Sequence, residues 1–262
     1  MRIARFEANG EVFWGIEANG TLCAVSSNWE EFLSLFYSGK ELDGECFGAD
    51  DVRLLAPVTP TKIVALGLNY RDHSAEMSER IPEEPLLFMK PSSAVIGPGE
   101  WIVYPPQSSR VDYEAELGVV IGKTARWVRR ENVMDFILGY TCFNDVTARD
   151  LQSKDGQWTR AKSFDTFAPI GPYVVTDINP SDLYIRSYVN GEMRQNSRTS
   201  LLIFDVPYVL EFVSSVMTLY PGDVIATGTP AGVGPVNIGD TVTVEIEGIG
   251  KLTNRVRGVS LP

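Results

Sequence analysis

The 262-residue chain has a single histidine, His73, three cysteines, and no apolar run long enough to span a bilayer. One imidazole makes a nitrogen-rich metal site impossible. Cys23, Cys46 and Cys142 are odd in number, far apart and never in a CxxC pair, so neither a disulfide framework nor a zinc site is expected. Positive charge is also scarce: 23 Lys and Arg stand against 34 Asp and Glu, a formal charge of −11. That balance argues against nucleic acid as a partner, though a local site for a small anion remains compatible with it. The start, "MRIARFEANG", lacks the shape of a signal peptide, so a cytoplasmic protein with no membrane partner is expected. What is present, 44% hydrophobic and 22% charged residues, suits a globular chain with a sizeable core.

Residues 1–57 read as a small unit. The runs "MRIARF", "EVFWGIEA" and "TLCAVS" are separated by Asn-Gly at 9–10 and 19–20, the strongest short hairpin signal. A helix, "NWEEFLSLFYSG", follows, with Ser27 or Asn28 as N-cap. "LLAPVTPTK", with Pro57 and Pro60, then reads as a linker into a second domain, 58–262. There short strands dominate: "KIVALG", "PLLFMK", "ELGVVIG", "YTCFND", "PIGPYVVT", "PGDVIATG" and "DTVTVEIEG". "LYIRSYVNGEMRQ" is a hairpin turning at Asn190-Gly191, and one helix is expected near 205–219. Many strands and few helices predict a β-rich α+β fold rather than an alternating βαβ sheet.

The stretch "VDYEAELGVVIG" places Asp112, Glu114 and Glu116 at every second position, with apolar or aromatic residues between them. Strict alternation is the pattern of a strand with one buried face, so the three carboxylates share the other. A solvated face is the common meaning of such a run, but this face is purely acidic. A fourth acid, Asp145, ends the apolar run "YTCFND". Carboxylates without imidazole or thiolate suit a hard cation, Mg²⁺ first, then Mn²⁺ or Ca²⁺. From spacing alone, a metal site and a plain surface are equally good readings. In "GLNYRDHSAEM", His73 and Glu76 are three apart and share a helix face, which makes either a water-activating base or a surface pair. Lys162 lies among aromatic and apolar residues, where a snorkelling side chain is the ordinary explanation. "ATGTPAGVGP" (226–235) lacks the GK[ST] ending of a phosphate loop and is either a small anion site or a turn.

In their order, "GLNYRDHSAEM", "FMKPSSAVIGP", "YEAELGVVIG", "GYTCFNDVTARDLQ", "AKSFDTFAPIGP", "VNGEMRQ" and "PGDVIATGTPAGVG" resemble the fumarylacetoacetate hydrolase family. The resemblance runs from about Lys62 to Gly234. It implies a β-rich roll, here with a small N-terminal α/β subdomain, and a homodimer. It implies a divalent metal, usually Mg²⁺, on Glu114, Glu116 and Asp145, with Asp112 either behind the site or facing solvent. His73 and Glu76 match the catalytic dyad, carried on a lid. Lys162 matches a lysine that contacts substrate, Gln152 a glutamine that contacts substrate or water, and Thr229 lies in the loop that closes the pocket. The much longer N-terminal domain of the family's tyrosine-degrading namesake is not supplied by residues 1–57, which look like those of short bacterial members. Such members act on small anionic 2-oxo acids. The resemblance therefore implies Mg²⁺-dependent cleavage of a C–C bond, with hydrolysis of an acylpyruvate such as fumarylpyruvate or acetylpyruvate first. The rivals are an oxaloacetate-type decarboxylase, a 2-hydroxyhepta-2,4-diene-1,7-dioate isomerase, a diketo-deoxy sugar acid hydrolase, and a non-catalytic binding module. Three carboxylates and a divalent cation sum to −1, which Lys162 would bring to zero.

Overall fold

The two N-terminal Asn-Gly pairs turn as their chemistry requires. In the computed structural model, Asn9, Gly10, Asn19 and Gly20 all have positive φ, and they join Arg2–Ala8, Glu11–Ala18 and Thr21–Ser26 in an antiparallel meander. The structure describes residues 1–259 apart from 41, 43 and 77–79, and only the backbone of 73–75. Asn28 caps the helix Trp29–Tyr37 by accepting the Glu31 N–H at 2.9 Å. Phe32 and Leu33 point inward from that helix.

The N-terminal strands continue into the largest sheet of the molecule. Arg2–Ala8 pairs with Ala168–Val175 through Arg2 and Ile3. The path then crosses Ile137–Asn144, Ala115–Ile121, Val224–Ala226 and Ile63–Gly67 to end at Leu86–Lys90. A five-stranded sheet packs over it, in the order Glu192–Arg198, Tyr184–Val189, Thr241–Ile246, Gly250–Gly258, Trp101–Tyr104. Its first two strands turn at Asn190-Gly191, where both residues have positive φ. The main core lies between these sheets and the helix Val206–Val216, where Leu117, Val119, Ile185, Leu210, Val213 and Val244 are buried together. Asp205 caps that helix by accepting the Tyr208 N–H, and Val206, Val209, Leu210 and Val213 form its buried face. The fold is thus β-rich α+β, as the strand count implied. No described helix is long and apolar enough to cross a membrane.

Two expectations are corrected. Cys23 and Cys46 form a disulfide, because Cys46–Gly48 is a strand that pairs with Thr21–Ser26 and sets the two cysteines opposite each other. A three-residue strand of "CFG" has no periodicity to read, so the pairing was invisible. Cys142 is free and buried. The second correction concerns 111–121, which is not a strand with one solvated face. Val111–Tyr113 lies in a small sheet between Thr147–Ala148 and Gly234–Val236. Ala115–Ile121 is an inner strand between Ile137–Asn144 and Val224–Ala226. Every residue from Val111 to Ile121 is buried. The acids therefore sit inside the protein, where isolated charge is costly.

Candidate active site

Glu114 falls at the break between two strands, and the adjoining chain holds it there. Its N–H donates to Asn144 Oδ1 at 3.0 Å, and its carbonyl accepts the Asp145 N–H at 2.9 Å. The end of Ile137–Asn144 thereby delivers Asp145 beside the acids of the neighbouring strand. Ligand oxygens of Glu114, Glu116 and Asp145 lie within 4.8 Å of one another, and all three residues are buried.

The answer to how these acids coexist is a set of cations, only one of which the sequence had brought forward. Lys162 Nζ donates to Glu114 Oε2 at 2.9 Å and to Asp145 Oδ2 at 2.6 Å. Lys90, with no exposed surface, pairs with Asp145 Oδ1 and donates to the Val146 carbonyl at 3.0 Å. Arg149 pairs with Glu114 Oε1, reaches Asp112 Oδ2 at 2.9 Å and donates to Gln152 Oε1 at 2.6 Å. Arg110 adds two bonds to Asp112, at 2.9 and 3.1 Å. Asp112 is wholly buried, so the solvent-facing alternative is excluded: it stands behind Glu114, joined to it through Arg149. Glu116 alone has no ion pair among the described residues, and its Oε2 accepts the Gly228 N–H at 2.8 Å. The close approach needs a glycine: Gly228 has φ +96, and a Cβ there would lie 2.8 Å from Asn69 Cβ.

The electrostatics follow from burial and pairing. Desolvation, then Asp145 and Glu114 beside it, push the Glu116 carboxyl well above the usual range. Desolvation lowers the Lys90 ammonium despite Asp145. Lys162 is equally buried, yet Asp145 and Glu114 together outweigh desolvation and raise it. Arg149 is raised by Glu114 and Asp112 against the same penalty.

The cluster opens on a cavity of about 270 Å³. Glu114, Glu116, Arg149, Gln152, Lys162 and Thr229 form its polar side, and Leu66, Phe88 and Trp158 its apolar side. Phe88 and Trp158 meet edge to face at 5.3 Å, and Gly67 leaves Trp158 its place, since a Cβ there would come within 2.7 Å of the indole. Gln195, buried, accepts the Ala115 N–H at 3.0 Å and donates to Thr229 Oγ1 at 2.7 Å, tying the acid-bearing strand to the Thr-Gly-Thr-Pro loop. Six of the eight residues singled out from the sequence therefore meet at one place: Glu114, Glu116, Asp145, Gln152, Lys162 and Thr229. Glu76 lies on the short helix Arg71–Glu76, with its carboxylate accepting the Gly232 N–H at 3.1 and 3.2 Å and outside the residues lining the cavity. The His73 side chain lies outside the described part of the structure.

Lys90, Arg149 and Gln195 were missed. Lys90 closes an apolar strand just before Pro91, and Arg149 follows Asp145 by four residues; a charge at the end of a buried run was the available signal for both. Gln195 sits in a polar hairpin strand and gave none.

The donor set fits a hard divalent cation. It is all carboxylate oxygen, and ligands about 5 Å apart can share one ion that binds oxygen at roughly 2.0–2.6 Å. Such an ion would also compensate Glu116.

Residues 62–257 match the sequence profile described as fumarylacetoacetate (FAA) hydrolase C-terminal, and residues 1–57 one described as Rv2993c-like, N-terminal. The chain is 45% identical over 217 residues to the oxaloacetate tautomerase Fahd2a, mitochondrial, of Rattus norvegicus, covering 78% of this chain and 69% of that protein. A solved 2-hydroxyhepta-2,4-diene-1,7-dioate isomerase from Mycobacterium marinum superposes with a TM-score of 0.90 at 43% identity, covering 100% of both chains. A maleylpyruvate hydrolase from Sphingobium sp. SYK-6, solved with manganese(II) and pyruvate, superposes at 0.83 with 32% identity, covering 99% of this chain and 100% of that one.

Proposed function

The chain belongs to the fumarylacetoacetate hydrolase family, and on that premise we propose that it acts on a small anionic 2-oxo acid by forming and holding its enolate. The observation that carries this reading is the Lys162 ammonium, kept charged in a buried cavity beside an all-carboxylate cluster. Glu114, Glu116 and Asp145 hold the divalent cation, with Mg²⁺ or Mn²⁺ foremost and Ca²⁺ the less favoured choice. When bound, it supplies Lewis-acid polarisation of the 2-oxo group.

The chain's own residues do the rest. Lys162 offers an N–H to the 2-oxo oxygen, so the charge that develops there meets a preorganised donor in a water-poor site. Arg149 and Gln152 orient the substrate from the same side, and Thr229 closes it in. His73, positioned by Glu76, is the base.

Keto–enol tautomerisation of oxaloacetate or a similar 2-oxo diacid stands first, because the relative that is 45% identical is an oxaloacetate tautomerase. In that reaction His73 takes a proton from the carbon next to the oxo group. The electron pair moves to the oxo oxygen, which is then protonated. Hydrolysis of an acylpyruvate is the second reading, favoured by the maleylpyruvate hydrolase neighbour. There His73 deprotonates a water that attacks the distal carbonyl. The C–C bond breaks toward the pyruvate side, and that enolate takes a proton at carbon to leave pyruvate and an acid. A cytoplasmic homodimer, with residues 1–57 as a small N-terminal subdomain beside a catalytic domain of 58–262, belongs to the same proposal.

The test uses metal-stripped protein with Mg²⁺ or Mn²⁺ restored. Loss of the oxaloacetate enol is followed by absorbance, and pyruvate release from oxaloacetate, acetylpyruvate and fumarylpyruvate is assayed in parallel. Metal-dependent acceleration of at least one reaction, lost in Lys162→Ala, is expected. No acceleration with any metal would defeat the proposal.

A further inference from the structure

Among the described residues, the acids Asp112, Glu114, Glu116 and Asp145 face four cations: Arg110, Arg149, Lys90 and Lys162. Lys162 and Arg149 line the cavity and can meet a substrate, and of these acids the Arg110 side chain pairs with Asp112 alone. Lys90 differs from all three. It is wholly buried, is not among the residues lining the cavity, and holds the Asp145 oxygen that Lys162 does not. Its strand, Leu86–Lys90, also supplies Phe88, whose ring lies 4.9 Å from Lys162 Nζ.

We propose that Lys90 is a positioning residue that sets the balance between cation and anion at this site. It pins Asp145 by one oxygen, leaving the other to turn toward Lys162 and Glu114. With all four carboxylates ionised, its positive charge also brings the acid cluster to neutrality, four against four. The consequence is a trade. A divalent cation is held less tightly than three bare carboxylates would hold it, and the loaded site keeps a net charge of +2. That charge suits a ligand carrying two negative charges in its reacting form, such as a 2-oxo acid carboxylate with its enolate oxygen.

This inference rests on reading Glu114, Glu116 and Asp145 as a cation site, so the experiment separates the two. Mn²⁺ binding is measured on the metal-stripped full chain by calorimetry or by the loss of free Mn²⁺ signal. Oxalate, a dianion, is then titrated into the Mn²⁺-loaded protein. If wild type does not bind Mn²⁺, the site reading fails, and the Lys90 inference with it. If it does, Lys90→Gln should bind Mn²⁺ roughly tenfold or more tightly. The loaded variant should bind oxalate more weakly than wild type by a similar factor. Lys251→Gln, an exposed lysine away from the cavity, should change neither. Should Lys90→Gln be too unstable without metal for calorimetry, the same linkage appears as a larger rise in Tm on adding Mn²⁺ than wild type shows. A lysine that merely packs the core would weaken both ligands when lost. Unchanged or weakened Mn²⁺ binding in Lys90→Gln, with wild type binding normally, overturns the proposal.

Discussion

Asp145→Asn is the most revealing change to stability, because Asp145 joins two lysines that, among the described residues, reach no other carboxylate oxygen except Glu114's. Asp145 and Lys90 are fully buried, and the Lys162 side chain is only 3% exposed. Asparagine keeps the size and one acceptor oxygen but removes the charge both lysines face. Breaking a buried pair by removing one partner costs about 3–5 kcal/mol, since the remaining charge stays buried and uncompensated. For a chain of this length, roughly 2–4 °C of Tm accompanies each kcal/mol, so Asp145→Asn should melt about 6–20 °C below wild type. The comparison is run in EDTA, so metal binding does not contribute. Asp177→Asn, which removes an exposed partner of the N-terminal amine, serves as control and should cost no more than about 1 kcal/mol. The pH dependence adds a sign. Burial has already lowered Lys90 below its ordinary 10.5, so the unfolded chain binds more protons between the folded value and 10.5. Losing Asp145 widens that window, and the variant should recover stability as pH rises. A loss under about 1 kcal/mol at neutral pH, flat with pH, would refute the picture of two charged lysines held by this carboxylate.

Three further outcomes follow from the same geometry. Glu116 titrates well above the usual carboxylate range when folded, so the folded state keeps its proton where the unfolded chain has lost it; metal-free stability should fall as pH rises past about 4.5, and Mg²⁺ should restore more Tm at pH 8 than at pH 5, a contrast that Glu116→Gln should abolish. Gly67→Ala would press a methyl to within 2.7 Å of Trp158, so the cavity wall must shift; steady-state assays should show a raised KM, and kinetics equal to wild type would mean that Trp158 does not bound the substrate. His73→Ala and Glu76→Ala should each lower turnover by about 10²–10⁴, and the double variant by little more than the worse single, whereas additive losses in a double-mutant cycle would mean that the two act independently.

Much of this site was legible because its parts carry strong local signals. Alternation marked Asp112, Glu114 and Glu116, and an acid ending an apolar run marked Asp145. That both faces were buried was not legible, because burial depends on the neighbours of a strand, and those come from Ile137–Asn144 and Val224–Ala226, far away in sequence. The same limit hid Lys90 and Arg149. A lysine after "LLFM" reads as a strand end until the sheet places it against Asp145. The charge sum drawn from the sequence therefore left out three cations, Lys90, Arg149 and Arg110, and one acid, Asp112. Neutralisation by Lys90, Lys162 and Arg149, and not a metal alone, lets the acids stand together. The hairpins at Asn9-Gly10, Asn19-Gly20 and Asn190-Gly191 were readable because a turn with φ > 0 selects its residues locally. The Cys23–Cys46 bond was unreadable because the pairing of two strands, not cysteine spacing, makes it.

The central claim is that Glu114, Glu116 and Asp145 bind the cation on which the chemistry depends. The most direct measurement titrates Mn²⁺ into the metal-stripped wild type and into the triple variant Glu114→Gln, Glu116→Gln, Asp145→Asn, with circular dichroism confirming that both are folded. One tight site per chain in wild type, absent from the folded triple variant together with its oxaloacetate and acylpyruvate turnover, is the result expected. Equal Mn²⁺ affinity in the two proteins would contradict the account.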